Sequence, residues 1–254
     1  MKILFVFFIL IQMSLLCNAM GGDGLVVSYQ SLIRAVEEQV LPSSDVWNLK
    51  IIDGKSDFKW QQDSMCLKFY SYFEGDYELA KNLPSEGKLI FKGSIRSDQD
   101  KRYYIEDIPD YGWKLLDADT VICDYLCQKA QMTFRGRTWI VWYSQALPYS
   151  DGPWKLCGLP GLILKAQDLK GDFSFAAFKI TKCKDNEILF NAKGYIKTTP
   201  RQFAEDMTHS YNDLQDYDEA TTGVKGNIYI DGKLWKSEKK TACLMEYFED
   251  NKKK

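Results

Sequence analysis

The sequence predicts a mainly β protein with minor α content: a curved antiparallel sheet or half-barrel carrying one helix near 200–214. Three observations predict it. Short runs rich in β-branched and aromatic residues recur along the chain, with seven Trp, fifteen Tyr and fourteen Phe in 254 residues. Turn signals such as Asp53-Gly54, Arg135-Gly136 and Asp231-Gly232 separate them, and strand runs broken by such turns favour an antiparallel sheet, sandwich or barrel. One stretch alone opens with a strong helix start.

The chain begins with a layout expected of an export signal. Lys2 supplies a positive start, residues 3–16 are nearly all apolar, and Cys17-Asn18-Ala19 ends on a small residue suited to cleavage. Residues 1–19 are therefore expected to be removed, leaving 20–254 as a single domain with no membrane-spanning segment, since the apolar run falls short of ~20 residues and nothing later matches it. A lipid-modified Cys17 would place Leu16 where a small residue is expected, so simple cleavage after Ala19 is favoured. The charge is nearly balanced, 33 basic against 35 acidic residues, which gives nucleic acid no electrostatic footprint.

Leu25-Val26-Val27 opens the first strand. In residues 31–40, Leu32, Ile33, Val36 and Val40 have helical spacing, with Ser28 or Ser31 as a cap. Trp47-Asn48-Leu49-Lys50-Ile51 alternates apolar with polar at period two. Further strands are expected at 58–60, 66–73, 88–93 and 102–105, a short helical turn at 76–82 before Pro84, and an irregular link over 107–113. Residues 132–134 and 139–143 form a hairpin about Gly136, which takes φ > 0 at little cost. Arg135 and Arg137 straddle that glycine and are expected to project into solvent. After it, Gly158-Leu159-Pro160-Gly161 describes a sharp path delivering Leu162-Ile163-Leu164 into a buried strand; Gly161→Val tests whether Gly161 sits at φ > 0. Strands are expected again at 172–180 and 188–190. Thr199-Pro200 then starts the helix, with Thr199 as cap, Pro200 at the first position, and Phe203, Met207, Tyr211 and Leu214 on one face. A last hairpin arm is expected over 226–233.

The segment 105–180 resembles the GLPGLI family, whose hexapeptide stands here as Gly158, Leu159, Pro160, Gly161, Leu162 and Ile163. Trp113-Lys114-Leu115-Leu116, Cys127-Gln128-Lys129-Ala130, Phe134-Arg135-Gly136-Arg137, Trp142-Tyr143 and Gly152-Pro153-Trp154-Lys155 accompany it in order. The resemblance implies an exported protein of a Bacteroidota-type envelope, periplasmic or associated with the outer membrane, for which no general activity is assigned. It also implies a strand near the start of the chain, where 31–40 has helical spacing. The half-barrel expected of such a chain is similar to the LolA-like outer-membrane lipoprotein carriers, an analogy of fold that licenses no function.

Little in the sequence speaks for catalysis. His209 is the one histidine, so a Ser–His or Cys–His arrangement would have to use it, and it reads as a surface helix residue. No catalytic, cofactor-binding or metal-ligating residue is predicted, and no cofactor. Acidic clusters at Asp107, Asp110, Asp117, Asp119, Asp124 and at Asp213, Asp216, Asp218, Glu219 lack EF-hand spacing; they read as solvated turns, with a carboxylate-dependent hydrolase as the weaker alternative. Six cysteines follow the signal: Cys66, Cys123, Cys127, Cys157, Cys183 and Cys243. An even count in an exported chain favours disulfides. If 123–127 is extended, Cys123 and Cys127 lie ~13 Å apart at ~3.3 Å per residue, too far to bridge each other.

The aromatic residues beside the hexapeptide remain. Trp139 and Val141 face one side of their strand, Ile140 and Trp142 the other. One face is core, and the other is available as a ligand or partner surface. That surface is predicted from Arg135, Arg137, Trp139, Trp142, Tyr143 and Trp154. The function expected is non-catalytic binding of a hydrophobic or extended ligand, a lipid or peptide among them, or of a protein partner on an aromatic-rich sheet; an accessory subunit of an outer-membrane receptor or transporter is the alternative.

Overall fold

A computed structural model describes residues 24–33, 43–61, 77–95, 100–184, 187–212, 228–230, 233–235 and 245–248. The proposed signal, Cys17, the strand expected at 66–73 with Cys66, the acidic cluster at 213–219 and Cys243 lie outside them, as does most of 31–40, of which 31–33 continue the first strand.

Twelve strands form one open, curved sheet: β1 (Gly24–Ile33), β2 (Ser43–Ile52), β3 (Lys55–Trp60), β4 (Glu78–Lys81), β5 (Lys88–Ser94), β6 (Lys101–Asp107), β7 (Lys114–Ile122), β8 (Tyr125–Phe134), β9 (Arg137–Ser144), β10 (Leu162–Asp168), β11 (Phe173–Cys183) and β12 (Ile196–Lys197). Their order is β12-β6-β5-β4-β3-β2-β1-β11-β10-β9-β8-β7. Pairing is antiparallel except for β12 beside β6. Among the described residues one helix, α1 (Pro200–Asn212), follows, and β13 (Ile228–Ile230) pairs with β14 (Lys233–Trp235) apart from the large sheet. This is the mainly β, curved-sheet architecture the sequence predicts, with its helix in the expected place.

The curvature follows from connectivity. The chain meanders from β1 outward to β6, then re-enters at β7 on the opposite edge and meanders back to β11, which pairs with β1. Laid flat, β6 and β7 would stand ten strand spacings apart, ~48 Å at ~4.8 Å each. The link 108–113 reaches only ~25 Å when fully extended. The sheet must therefore curl until its two halves approach across the concave side, and Tyr111 of the link is buried there.

Two-residue turns with both residues at positive φ join three hairpins: Asp53-Gly54, Cys123-Asp124 and Arg135-Gly136, the geometry that matches strand twist. Cys123 thus sits in a turn, and the extended 123–127 segment considered from sequence does not exist. The expected short helical turn is also corrected: 78–81 is β4, paired on both sides by β3 and β5. Glu, Leu, Ala and Lys favour helix locally, but burial of all four between two strands overrides a preference of tenths of a kcal/mol per residue. Residues 188–190 form no strand; Ile188 is buried while Leu189 is exposed.

Alternate residues of the long strands other than the exposed edge strand β7 fill the concave side. Tyr29, Trp47, Leu49, Phe58, Leu79, Phe91 and Tyr104 line one half, and Met132, Trp139, Val141, Tyr143, Ala166 and Phe175 the other. The rings interlock: Trp47 stacks on Phe58 at 5.0 Å and Phe91 on Tyr104 at 4.9 Å. Helix α1 closes one end. Thr199 Oγ1 accepts a bond from Gln202 N at 3.1 Å, the predicted cap, and Phe203 packs edge-on to Phe91 at 5.1 Å.

Candidate functional site

The GLPGLI segment does not line an open groove; it is part of what fills the barrel. Residues 145–161, between β9 and β10, fold back into the concave side and bury Leu147, Trp154, Leu156, Cys157 and Leu159. A buried irregular segment exposes backbone polar groups that must find partners. Here side chains supply them. Tyr111 Oη donates to Lys155 O at 2.6 Å, Trp113 Nε1 to Cys157 O at 2.8 Å, and Tyr29 Oη to Ile163 O at 2.6 Å. Lys81 Nζ, on β4, donates to Gly152 O at 2.6 Å and pairs with the Asp151 carboxylate. Gly161 is required by close approach and not by positive φ: a Cβ there would stand 2.3 Å from Ser144 O. Gly158 is the left-handed residue of the motif, at φ 90.

Arg135 and Arg137 are corrected outright. Neither projects freely into solvent. Arg137 is buried with its guanidinium 2.7 Å from Asp168 and 2.8 Å from Asp172, and its Cζ lies 4.6 Å from the Phe173 ring centroid. Arg135 lies between the rings of Phe134 and Phe248 at 4.8 and 4.7 Å. It pairs with Glu246 at 2.5 Å and with Glu106. The fully buried Lys155 joins the same two carboxylates, at 2.8 Å from Glu246. Two cations and two carboxylates thus neutralise one another, and they tie β6, the β8–β9 turn, the plug formed by residues 145–161 and 245–248 together. The curl brings these residues within reach, which no local pattern in the sequence could reveal.

The cysteines give another correction among the described residues. Cys123, Cys127, Cys157 and Cys183 are free thiols. Burial, the leading cause, pushes the Cys157 thiol up to about 11, so it stays protonated and unreactive at neutral pH. Burial is likewise first in raising Tyr111, with Cys157 adding to it.

Two spaces lined by described residues on the concave side are small. One of ≈ 20 Å³ lies between Trp47, Phe58, Phe91 and Trp154, and one of ≈ 60 Å³ between Tyr104, Phe203, Met207 and Met245. Sites for organic ligands usually offer ~300 Å³ or more. Trp139, Tyr143 and Trp154, predicted as surface, are core residues, with Trp139 packed 5.4 Å from Trp154.

Trp142 differs. On the convex side it remains partly exposed, and with Lys129, Ile140, Lys165 and Gln167 it lines an open depression of ≈ 240 Å³. Of the predicted surface aromatics, Trp142 is the one the fold leaves facing outward. Lys129, Lys165 and Gln167 were not singled out from sequence, although period-two alternation in β8 and β10 puts them on the face of Trp142. Among the described residues no group of three or more His, Cys, Asp or Glu side chains is placed to hold a metal, and no helix is long and apolar enough to cross a membrane. His209 lies on α1. Asp107 is on β6 while Asp117 and Asp119 are on β7, at opposite ends of the strand order.

No family model and no curated protein matches the chain. Among solved structures, PNGF-II in two crystal forms is similar over 74 % of this chain, at TM-scores of 0.51 and 0.52 and identities of 14 and 15 %. The chain spans 33 and 34 % of the length of those structures. Likeness at that identity concerns the fold alone. A putative outer membrane lipoprotein-sorting protein domain from Vibrio parahaemolyticus (13 % identity, 63 % of this chain, 85 % of that chain) and a DUF1329 family protein from Desulfovibrio piger (11 %, 60 %, 68 %) also match, each at a TM-score of 0.20. We draw nothing from those two.

Proposed function

We propose that this chain is a GLPGLI-type exported protein of a bacterial envelope, with residues 1–19 as its cleaved signal, and that it binds an extended ligand or a partner without catalysis. The binding surface is the convex face of β8–β10 around Trp142. The observation that carries this reading is the filling of the concave side by the chain's own residues 145–161, while Trp142 lines a depression of sugar or side-chain size on the sheet's outer face. The buried carboxylates Glu106, Glu246, Asp151 and Asp168 are each held by a cation, an arrangement that favours structural use over a hydrolytic pair.

Native mass spectrometry of the protein isolated from its own envelope tests this. A co-purifying species that Trp142→Ala releases, with the melting temperature kept, supports the reading. A species retained equally by Trp142→Ala contradicts it.

One observation favours a second reading, the accessory subunit. Leu115 and Val121 of β7 and Leu126 of β8 are 64, 65 and 63 % exposed, β7 is the last strand of the sheet among the described residues, and an apolar sheet edge is a place for another chain to add. Replacing Leu115 and Val121 by Lys should then release a co-purifying membrane protein that Trp142→Ala leaves bound.

A further inference from the structure

The depression over Trp142 carries charge in a definite arrangement. In register, Lys129 of β8 stands opposite Trp142 of β9, which stands opposite Lys165 of β10. Two residues along, Gln131, Ile140 and Gln167 form the next row. At ~4.8 Å between strands, the two lysines flank the indole on either side. Lys129 Nζ lies 5.5 Å from the Trp142 ring centroid.

These lysines differ from the cations of the concave side. Arg135, Arg137, Lys81 and Lys155 all hold carboxylates. Among the described residues, neither Lys129 nor Lys165 has a carboxylate within ion-pair distance. In β7, Leu116 stands opposite Lys129 and Asp119 opposite Gln128, with a register shift between them. The patch is therefore cationic, with one aromatic ring at its centre and carboxamides beside it.

We propose that this depression binds an acidic sugar unit of an extended polysaccharide. The apolar C–H face of the sugar packs on the Trp142 indole. Its carboxylate lies between the Lys129 and Lys165 ammonium groups as charge-assisted hydrogen bonds, and its hydroxyls meet the Gln131 and Gln167 amides. The ≈ 240 Å³ depression takes one such unit while the polymer continues across the open sheet. A bilayer is the poorer occupant, because a membrane-binding face needs a broad apolar surface, and here the partly exposed Trp142 and Ile140 are flanked by Lys129, Lys165, Gln131 and Gln167. The proposal rests on the outer-face reading above and narrows its ligand.

The test is calorimetric titration of the full chain with polygalacturonate oligomers, and with neutral dextran oligomers of similar length. Binding of the uronate probe that weakens with salt, and at least tenfold in both Lys129→Gln/Lys165→Gln and Trp142→Ala at unchanged melting temperature, with dextran not binding, is the expected result. Equal uronate affinity in the lysine double variant overturns the proposal, as does dextran binding as tightly as uronate. Absence of uronate binding at millimolar concentration also overturns it. If the wild type then still carries an envelope species that Trp142→Ala releases, the sugar assignment has failed and the outer-face reading stands; if Trp142→Ala releases nothing, both have failed.

Discussion

Lys81→Met removes the ammonium that pins the plug to β4. Lys81 is buried, its carboxylate partner Asp151 has a side chain only 10 % exposed, and the same nitrogen caps Gly152 O at 2.6 Å and Leu156 O at 3.4 Å. Methionine keeps most of the volume, so packing changes little. What remains is a buried carboxylate without its cation and a plug carbonyl without its donor. Breaking a buried pair from one side costs about 3–5 kcal/mol, a figure that includes the unsatisfied partner. The double variant Lys81→Met/Asp151→Leu removes the orphaned charge and should recover part of that loss, because replacing both members by apolar groups is often near neutral. It still leaves Gly152 O without the Lys81 donor and gives up the bond from Gly152 N to Asp151 Oδ1 at 2.7 Å, so recovery should stop about 2 kcal/mol short. Urea denaturation with a common m-value measures both. A loss below about 1 kcal/mol in Lys81→Met, or a double variant as unstable as the sum of its singles, would refute the assignment of this pair to holding the plug.

Three further predictions concern the same interior. Gly161→Ala should destabilise by about 1–3 kcal/mol, since the new Cβ meets backbone at Ser144 that has no easy way to move; an unchanged midpoint would mean the β9–β10 junction is looser than described. Arg137→Met should cost about 3–5 kcal/mol by leaving Asp168 buried and unpaired, and Asp168→Asn in the same chain should restore part of it. The Cys157 thiol, ordinarily at 9.0, is raised to about 11 in the folded protein. Its contribution to stability is then complete below pH 9 and is lost as pH rises through 11, on the order of 3 kcal/mol in all. Stability of Cys157→Ala should fall less steeply between pH 9 and 10 than that of the wild type, before buried tyrosines begin to add their own loss; parallel curves would contradict the burial of this thiol.

The features legible in the sequence are those whose cause is local. Period two in Trp47-Asn48-Leu49-Lys50-Ile51 becomes β2 with Trp47, Leu49 and Ile51 inward. The glycine at 136 becomes the β8–β9 turn, and Thr199-Pro200 caps α1. Features set by distant partners were not legible. Arg137 looks like a polar hairpin tip until Asp168, 31 residues later, is placed beside it. Glu246 meets Lys155 across 91 residues, and Lys81 meets Gly152 across 71. Glu78-Leu79-Ala80-Lys81 shows the same limit from the other side: helix preference is short-ranged and weak, and the neighbouring strands on both flanks decide. At the candidate surface, alternation separates Trp142 from Trp139, but which face is outward depends on where the plug folds, and that is set by the curl of the whole sheet.

The central claim is that ligand is engaged on the convex face while the concave side stays filled by the chain itself. Side-chain carbene footprinting of protein isolated from its own envelope, before and after whatever it carries is stripped away, addresses this most directly. Labelling at Trp142 and Lys165 should rise on stripping while that at Trp154 and Phe203 stays constant. A rise at Trp154 and Phe203 with Trp142 unchanged would place the ligand inside the barrel and contradict the account.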